Sequence, residues 1–311
     1  HQHAKVSIHL DAQFGEMECD MKKKFVQTVF LSMAAVSMLT IAALAAPPVG
    51  VPSAEIGYTR QNSGYAGVGG QLMRLGIYYG SNGKSSVDLT TVVGDGFLLG
   101  YYDVNHNFMV QSSTTSLNLT VQVDPVSSNT ITVYDRSTGM ALYTYSGDGE
   151  GLAVEPYSLS GQQTIVKCGY PYYGAFRFDR KTAGSGQMTI VNLVRLDDYI
   201  KGVVPYEMSA SWPIEALKAQ AVCARSYALS HINSSHQRNY NFDLCDTTDC
   251  QVYQGVYKSG TSDKVNRAVE ETSGVTLTYN GKYCDAVYSS SNGGASESAA
   301  NVWGSEIPYL V

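Results

Sequence analysis

Positive charge is scarce in this 311-residue chain: 21 Lys and Arg stand against 27 Asp and Glu, for a net charge of −6. Bulk electrostatics therefore give no pull toward a nucleic-acid backbone, although a local basic patch could still hold a polyanion. Phe is sparse too, at 8 against 23 Tyr. Rings that carry a hydroxyl suit exposed strands and a polar cleft in which sugars stack. Cysteine is thin and uneven. Cys19 lies in a leader-like segment, and Cys168, Cys223, Cys245, Cys250 and Cys284 remain. An odd number in an exported chain argues against a complete disulfide framework, and leaves one disulfide, a metal site or free thiols open. The chain also lacks a G-x-S-x-G elbow, and no His lies near the serines of "YSSSNGG" in sequence, so a Ser nucleophile is not read there.

Long apolar runs are confined to one place. "MKKKFVQTVFLSMAAVSMLTIAALAAPP" begins at Met21 with Lys22, Lys23 and Lys24, runs apolar from Phe25 to Leu44, and closes on small residues before Pro47. That is the layout of a secretory signal peptide over residues 21–46, and it predicts export to the cell wall or the extracytoplasmic membrane face. The run is also near the length of a membrane span, so an uncleaved anchor is the alternative. Residues 1–20 precede the basic stretch and are expected to be upstream read-through, with Met21 the true start. Residues 47–72, rich in Pro, Gly and Ser, read as a linker. The closing "NVWGSEIPYLV" reads as a strand cut short, so a longer natural C-terminus is expected.

The length suits about two domains, and 44% hydrophobic residues suffice for a core. "MRLGIYYGS", "VDLTTVVGDGFLLGYYD", "NLTVQVD", "TITVYDR" and "ALYTYSG" are short runs rich in Val, Thr and Tyr, divided by Gly, Asn and Asp. They predict a strand-rich region over 73–160. "QTIVKCGYPYYGAFRFDR" and "GQMTIVNLVRLDDYIKGVVP" continue the pattern. The first strong helix is "SWPIEALKAQAVCARSYALSHI", with Ser211 as N-cap and Pro213 in the first turn. Ile214, Leu217, Ala221, Ala224 and Ala228 form one apolar face. "SDKVNRAVEETSG" reads as a second helix closed by Gly274, and "VTLTYNGKYCDAV" as a hairpin turning at Asn280 and Gly281. The expected fold class is α+β.

Four motifs in order then carry a family pattern. "VVPYEMSASWPIEALKAQAVCARSYAL", "DLCDTTDCQVYQG", "VEETSGVTLTYNGKYCDAVYSSSNGG" and "NVWGSEIPYL" together resemble the stage II sporulation protein D family, which includes the amidase enhancers. The resemblance covers residues 165–311. It implies an α+β catalytic domain whose long amphipathic helix lies beside a glycan-binding cleft. It also implies a lytic transglycosylase that cuts peptidoglycan glycan strands, with peptide-stripped strands preferred. Its acid is the Glu of "VPYEM", Glu207. Ordinary glycosidases use two carboxylates. A lytic transglycosylase works with one, because the muramic 6-hydroxyl is the nucleophile, so no catalytic cofactor is needed. Such an acid must keep its proton near neutral pH, and Val204, Pro205, Met208 and Trp212 are the neighbours expected to desolvate it. The competing reading is a surface Glu near a helix N-terminus, whose dipole would favour the charged form. Glu215, one turn into the helix, reads as solvated, and Lys201 and Lys218 as surface residues.

Arg225 either holds a muramyl group or pairs with an internal acid. The "YSSSNGG" loop, with Tyr288, Ser290, Ser291, Asn292, Gly293 and Gly294, lines the groove in the family and is expected to meet sugar hydroxyls. His236, Cys245 and Cys250 match a one-His, two-Cys zinc set found in some members, in a structural role. Three ligands are one short of a closed site, and Asp249 stands where other members have a His, so a Cys245–Cys250 disulfide or two thiols remain alternatives. Two other functions stay in play. One is a non-catalytic, peptidoglycan-binding enhancer of an N-acetylmuramoyl-L-alanine amidase. The other is a wall-anchoring protein dominated by residues 73–160.

Overall fold

The computed structural model describes residues 71–103, 108–124, 130–147, 151–180, 186–232, 235–256 and 262–311. The expected read-through, signal peptide and nearly all of the linker lie outside them. Among the described residues no helix is long and apolar enough to cross a membrane.

The fold is α+β and strand-rich. The region expected to be strands supplies β1 (Leu72–Tyr78), β2 (Ser86–Val93), β3 (Gly96–Tyr102), β4 (Phe108–Thr114), β5 (Asn118–Val123), β6 (Ile131–Asp135), β7 (Ala141–Tyr145) and β8 (Leu152–Tyr157). Four more follow: β9 (Ile165–Cys168), β10 (Tyr170–Tyr173), β11 (Ala175–Arg180) and β12 (Met188–Arg195). A two-residue strand, β13 (Leu244–Cys245), comes later. They build a seven-stranded sheet in the order β13-β1-β12-β11-β8-β3-β4 and a six-stranded sheet in the order β10-β9-β2-β5-β6-β7. The expected boundary at 160–165 thus falls inside both sheets. β1 pairs with β12 from Met73↔Val194 to Gly76↔Val191, and β8 pairs with β11. Each sheet takes strands from both halves.

Burial explains which strands are central. β12 reads MTIVNLVR with every residue but the last buried, and β3 is buried at all but one position. Such strands are covered on both faces and read as continuous apolar runs. β5 alternates, as a half-exposed strand should. Burying each Leu, Ile or Phe of this core contributes roughly 1.5–3 kcal/mol.

The helices follow β12 directly. α1 spans Leu196–Glu207, α2 spans Ile214–Ser230, α3 spans Ser235–Tyr240 and α4 spans Asp263–Glu271. A hairpin of β14 (Thr278–Tyr279) and β15 (Lys282–Tyr283) and a short α5 (Ala299–Trp303) complete the chain. α1 corrects the sequence reading, which ran "LDDYIKGVVP" on as strand. Its Val-Val-Pro run suggested extended chain, but residues Leu196 to Pro205 are all buried, and Asp197 and Asp198 sit in the first turn, where the amide end favours acids. Packing overrides propensity here, and Pro205 lies close enough to the end that the helix stops two residues later. Ser211 is not the cap of α2. Pro213 occupies that position, with no side-chain cap bond, and the Ser211 hydroxyl meets that of Ser209 at 3.0 Å.

The apolar residues expected on α2 are where the spacing put them, with Leu217, Ala221, Ala224 and Ala228 fully buried. From Ala224 to Leu229 the helix is buried on every side. The second predicted helix is α4, capped by Ser262, whose hydroxyl accepts from the Val265 amide, and Gly274 beyond it has φ 75°. The hairpin turns at Asn280 (φ 49°) and Gly281 (φ 75°), the left-handed pair that a tight primed turn requires. The final segment is not a strand: its first residues form α5.

Candidate active site and cysteine cluster

Glu207 is the last residue of α1 and is half-buried. It therefore sits at a carbonyl end, and not at the amide end the competing sequence reading assumed. Val204 and Pro205 before it are buried, and Met208 and Trp212 after it are half-buried. Its Oε1 accepts from the Val252 amide at 3.3 Å. Its carboxyl is also hydrogen-bonded with the Tyr288 hydroxyl. Tyr288 is the one member of the expected substrate loop that reaches Glu207. It is buried, and its phenol is raised well above the ordinary range, first by burial and then by Glu207.

The rest of that loop is exposed. Ser290, Ser291, Asn292, Gly293 and Gly294 lie on the surface, and their groups partly close a local turn. The Asn292 side chain accepts from the Gly294 amide at 3.0 Å, and the Ser291 hydroxyl from the Gly293 amide at 3.3 Å.

Arg225 is not placed to hold a sugar substituent. It is fully buried, and its guanidinium donates to Asp197 through Nε at 2.9 Å and Nη2 at 2.8 Å. It also donates to the Val275 carbonyl at 3.1 Å and the Val269 carbonyl at 3.3 Å. Of the two roles the sequence left open, the internal pair is the one observed. Arg225 ties α2 to α1 and to the end of α4. Lys201 is likewise interior: it is buried and lies 2.9 Å from Glu270 and 3.7 Å from Asp198. Lys218 pairs with Glu215 at 2.8 Å and Glu271 at 2.7 Å, and Glu215 stays solvated, as expected.

His236, Cys245 and Cys250, separated in sequence, come together. One ligand atom from each lies within 4.8 Å of the others, and both thiols are buried. Neither cysteine is in a disulfide, although their sulfurs lie 3.1 Å apart, and no disulfide occurs among the described residues. The Cys245 thiol is held below its ordinary range, chiefly by its hydrogen bond with Cys250. Two thiol sulfurs and one imidazole within ligand reach are the donor set a tetrahedral zinc ion takes, with one position left for a further ligand. The residues present therefore fit the ion. His236 stacks on Phe242 with centroids 5.2 Å apart, and Asp243 receives Arg74 of β1 at 2.7 Å, so the cluster is seated on the first strand.

The cluster and Glu207 share one segment. Cys250 is followed by Gln251, fully buried, then by Val252, whose amide holds Glu207. Tyr227 of α2 feels both ends: burial raises its phenol most, followed by Cys250, Asp285, Cys245 and Glu207. Gly202 of α1 lets this segment approach, since a Cβ there would meet the Tyr253 ring at 2.4 Å and the Gly255 carbonyl at 2.6 Å. Sequence reasoning missed Gln251, Tyr199 and Tyr227. The only signal was the polar-aromatic "CQVYQG" after the second cysteine.

Residues 184–279 match the family SpoIID, stage II sporulation protein. That span holds Glu207 and the whole cysteine cluster, and Tyr288 lies just beyond it. The chain is 39% identical over 163 residues to the amidase enhancer of Bacillus subtilis, covering 52% of this chain and 21% of that protein. It is 38% identical over 134 residues to stage II sporulation protein D of the same organism, covering 39% of this chain and 38% of that one. An uncharacterised protein of Brachyspira hyodysenteriae is 36% identical over 188 residues, covering 60% of this chain and 48% of that one. The chain thus spans less than half the length of each of these relatives. The resemblance to the stage II sporulation protein D and amidase enhancer family, read from the motifs, holds.

Proposed function

We propose that this chain is an exported lytic transglycosylase of the cell wall, acting on peptide-stripped glycan strands in sporulation, the process for which two of its relatives are named. The observation that carries the reading is Glu207: one half-buried carboxyl at a helix end, fixed by the Val252 amide and Tyr288, inside the family span. Glu207 gives its proton to the oxygen between N-acetylmuramic acid and N-acetylglucosamine. The C1–O bond breaks, its electron pair stays on the leaving oxygen, and that oxygen becomes the free 4-hydroxyl. The Glu207 carboxylate then takes the proton of the muramic 6-hydroxyl as its oxygen bonds to C1. The product is a 1,6-anhydro end, Glu207 is protonated again, and no water is consumed.

The exposed Ser290, Ser291, Asn292, Gly293 and Gly294 loop supplies hydrogen-bond partners for sugars next to Tyr288. His236, Cys245 and Cys250 would hold a zinc ion whose contribution is structural: it crosslinks α3 to β13 and fixes the segment that continues into Val252. The expected test is release of soluble fragments from stripped strands by wild type and not by Glu207→Gln.

One observation favours a second reading. The relative with 39% identity is named an amidase enhancer. On that reading the chain binds peptidoglycan and stimulates an amidase, and Glu207→Gln would stimulate a cell-wall amidase as well as wild type does.

A further inference from the structure

Gln251 is the fully buried side chain that joins the neighbours of Glu207 into one network. Its amide oxygen accepts from the Tyr199 hydroxyl at 3.0 Å. Its nitrogen donates to the Tyr288 hydroxyl at 2.9 Å and, at 3.4 Å, to the Ala224 carbonyl. A backbone carbonyl can only accept, so it faces the amide nitrogen and settles which way the amide points. The oxygen is then left to Tyr199, which must donate to it. One amide hydrogen goes to Ala224 and the other to Tyr288. The Tyr288 oxygen is thereby an acceptor from Gln251, and its own proton is directed to Glu207, with which it is hydrogen-bonded.

We infer that Gln251 is a positioning residue for the proposed reaction: it sets the direction of the Tyr288 hydroxyl so that Tyr288 always donates to Glu207. This rests on the reading of Glu207 as acid and base. Tyr288 and the Val252 amide then both donate to the Glu207 carboxyl and fix how it sits. Without Gln251, Tyr288 can equally turn its proton away and accept from a protonated Glu207, which then holds the proton it must give up. Gln251 touches no substrate, being buried between α1, α2 and the segment that carries Tyr288.

The test is a double-mutant cycle on stripped glycan strands. Gln251→Met keeps the volume and removes all three side-chain hydrogen bonds. It is expected to lower kcat about tenfold or more and to leave KM within about twofold, because only the transition state loses its support. Tyr288→Phe is expected to cause a similar loss, and adding Gln251→Met to it almost none, since the residue acts through the hydroxyl already removed. If Gln251→Met does not fold, Tyr199→Phe takes its place. It frees only the amide oxygen, and the same cycle against Tyr288→Phe is run, with a smaller loss that again vanishes in the double variant. Independent, additive losses overturn the inference while leaving Glu207's role intact, as does a rise in KM alone. A wild-type protein that cuts no glycan, or a Glu207→Gln variant that still cuts it, overturns the inference together with the reading beneath it.

Discussion

Replacing Arg225 by Met is expected to cost fold stability and to leave substrate affinity untouched. Arg225 and Asp197 are both fully buried, with two N–H···O contacts between them at 2.8 and 2.9 Å. Arg225→Met leaves the Asp197 carboxylate in the interior with the Ser273 hydroxyl still donating to it. It also removes a donor from the Val275 carbonyl and one from the Val269 carbonyl, which keeps the Thr272 hydroxyl. Breaking one side of a buried pair costs about 3–5 kcal/mol. For a folded unit of this size each kcal/mol moves the midpoint by about 2–4 °C, so the melting temperature should fall by about 6–20 °C. Circular dichroism melts of the two proteins measure this. A double variant, Asp197→Leu with Arg225→Met, should recover much of the loss, because an apolar pair leaves no stranded charge. An Arg225→Met protein with an unchanged melt and a raised KM for glycan would refute the reasoning and return Arg225 to the substrate.

Three further outcomes follow from the same contacts. Gly202→Ala must push Tyr253 and the Gly255 carbonyl away from α1, so it should cost about 1–3 kcal/mol by urea denaturation and lower cleavage by displacing Val252; unchanged stability would contradict the close approach. Asp198 is held above the usual carboxylate range, first by burial, with Lys201 opposing. Its protonation therefore favours the fold below about pH 4, and that contribution is lost as pH rises through the elevated folded value. Asp198→Asn should thus gain relative to wild type on going from acid to neutral pH, and urea midpoints that show the reverse would sink the assignment. Purified protein should carry about one zinc per chain by atomic emission, lost in Cys250→Ser with a lower melting temperature; zinc-free wild type with an unaltered melt would remove the metal from the account.

Legibility differed by kind of interaction. Period and turn chemistry are local, so the strands of residues 73–160, the α2 face and the Asn280–Gly281 turn could be read directly. α1 could not, because its Val-Val-Pro composition favours extended chain and only burial of almost its whole length makes it a helix. The interleaving of the two halves was hidden because a pairing such as β1 with β12 leaves no local trace. Glu207 and the His236, Cys245 and Cys250 set came from motifs. The role of Gln251 depends on four groups far apart in sequence, Tyr199, Ala224, Gln251 and Tyr288, and only coordinates bring them together.

The central claim is that one carboxyl group, Glu207, both gives and takes the proton. The most direct test is mass spectrometry of the ends produced from peptide-stripped glycan strands by wild type and by Glu207→Gln. The account predicts 1,6-anhydro-muramic ends from wild type and intact strands from the variant. Reducing ends, one water heavier, would mean hydrolysis with a second carboxylate and would contradict it.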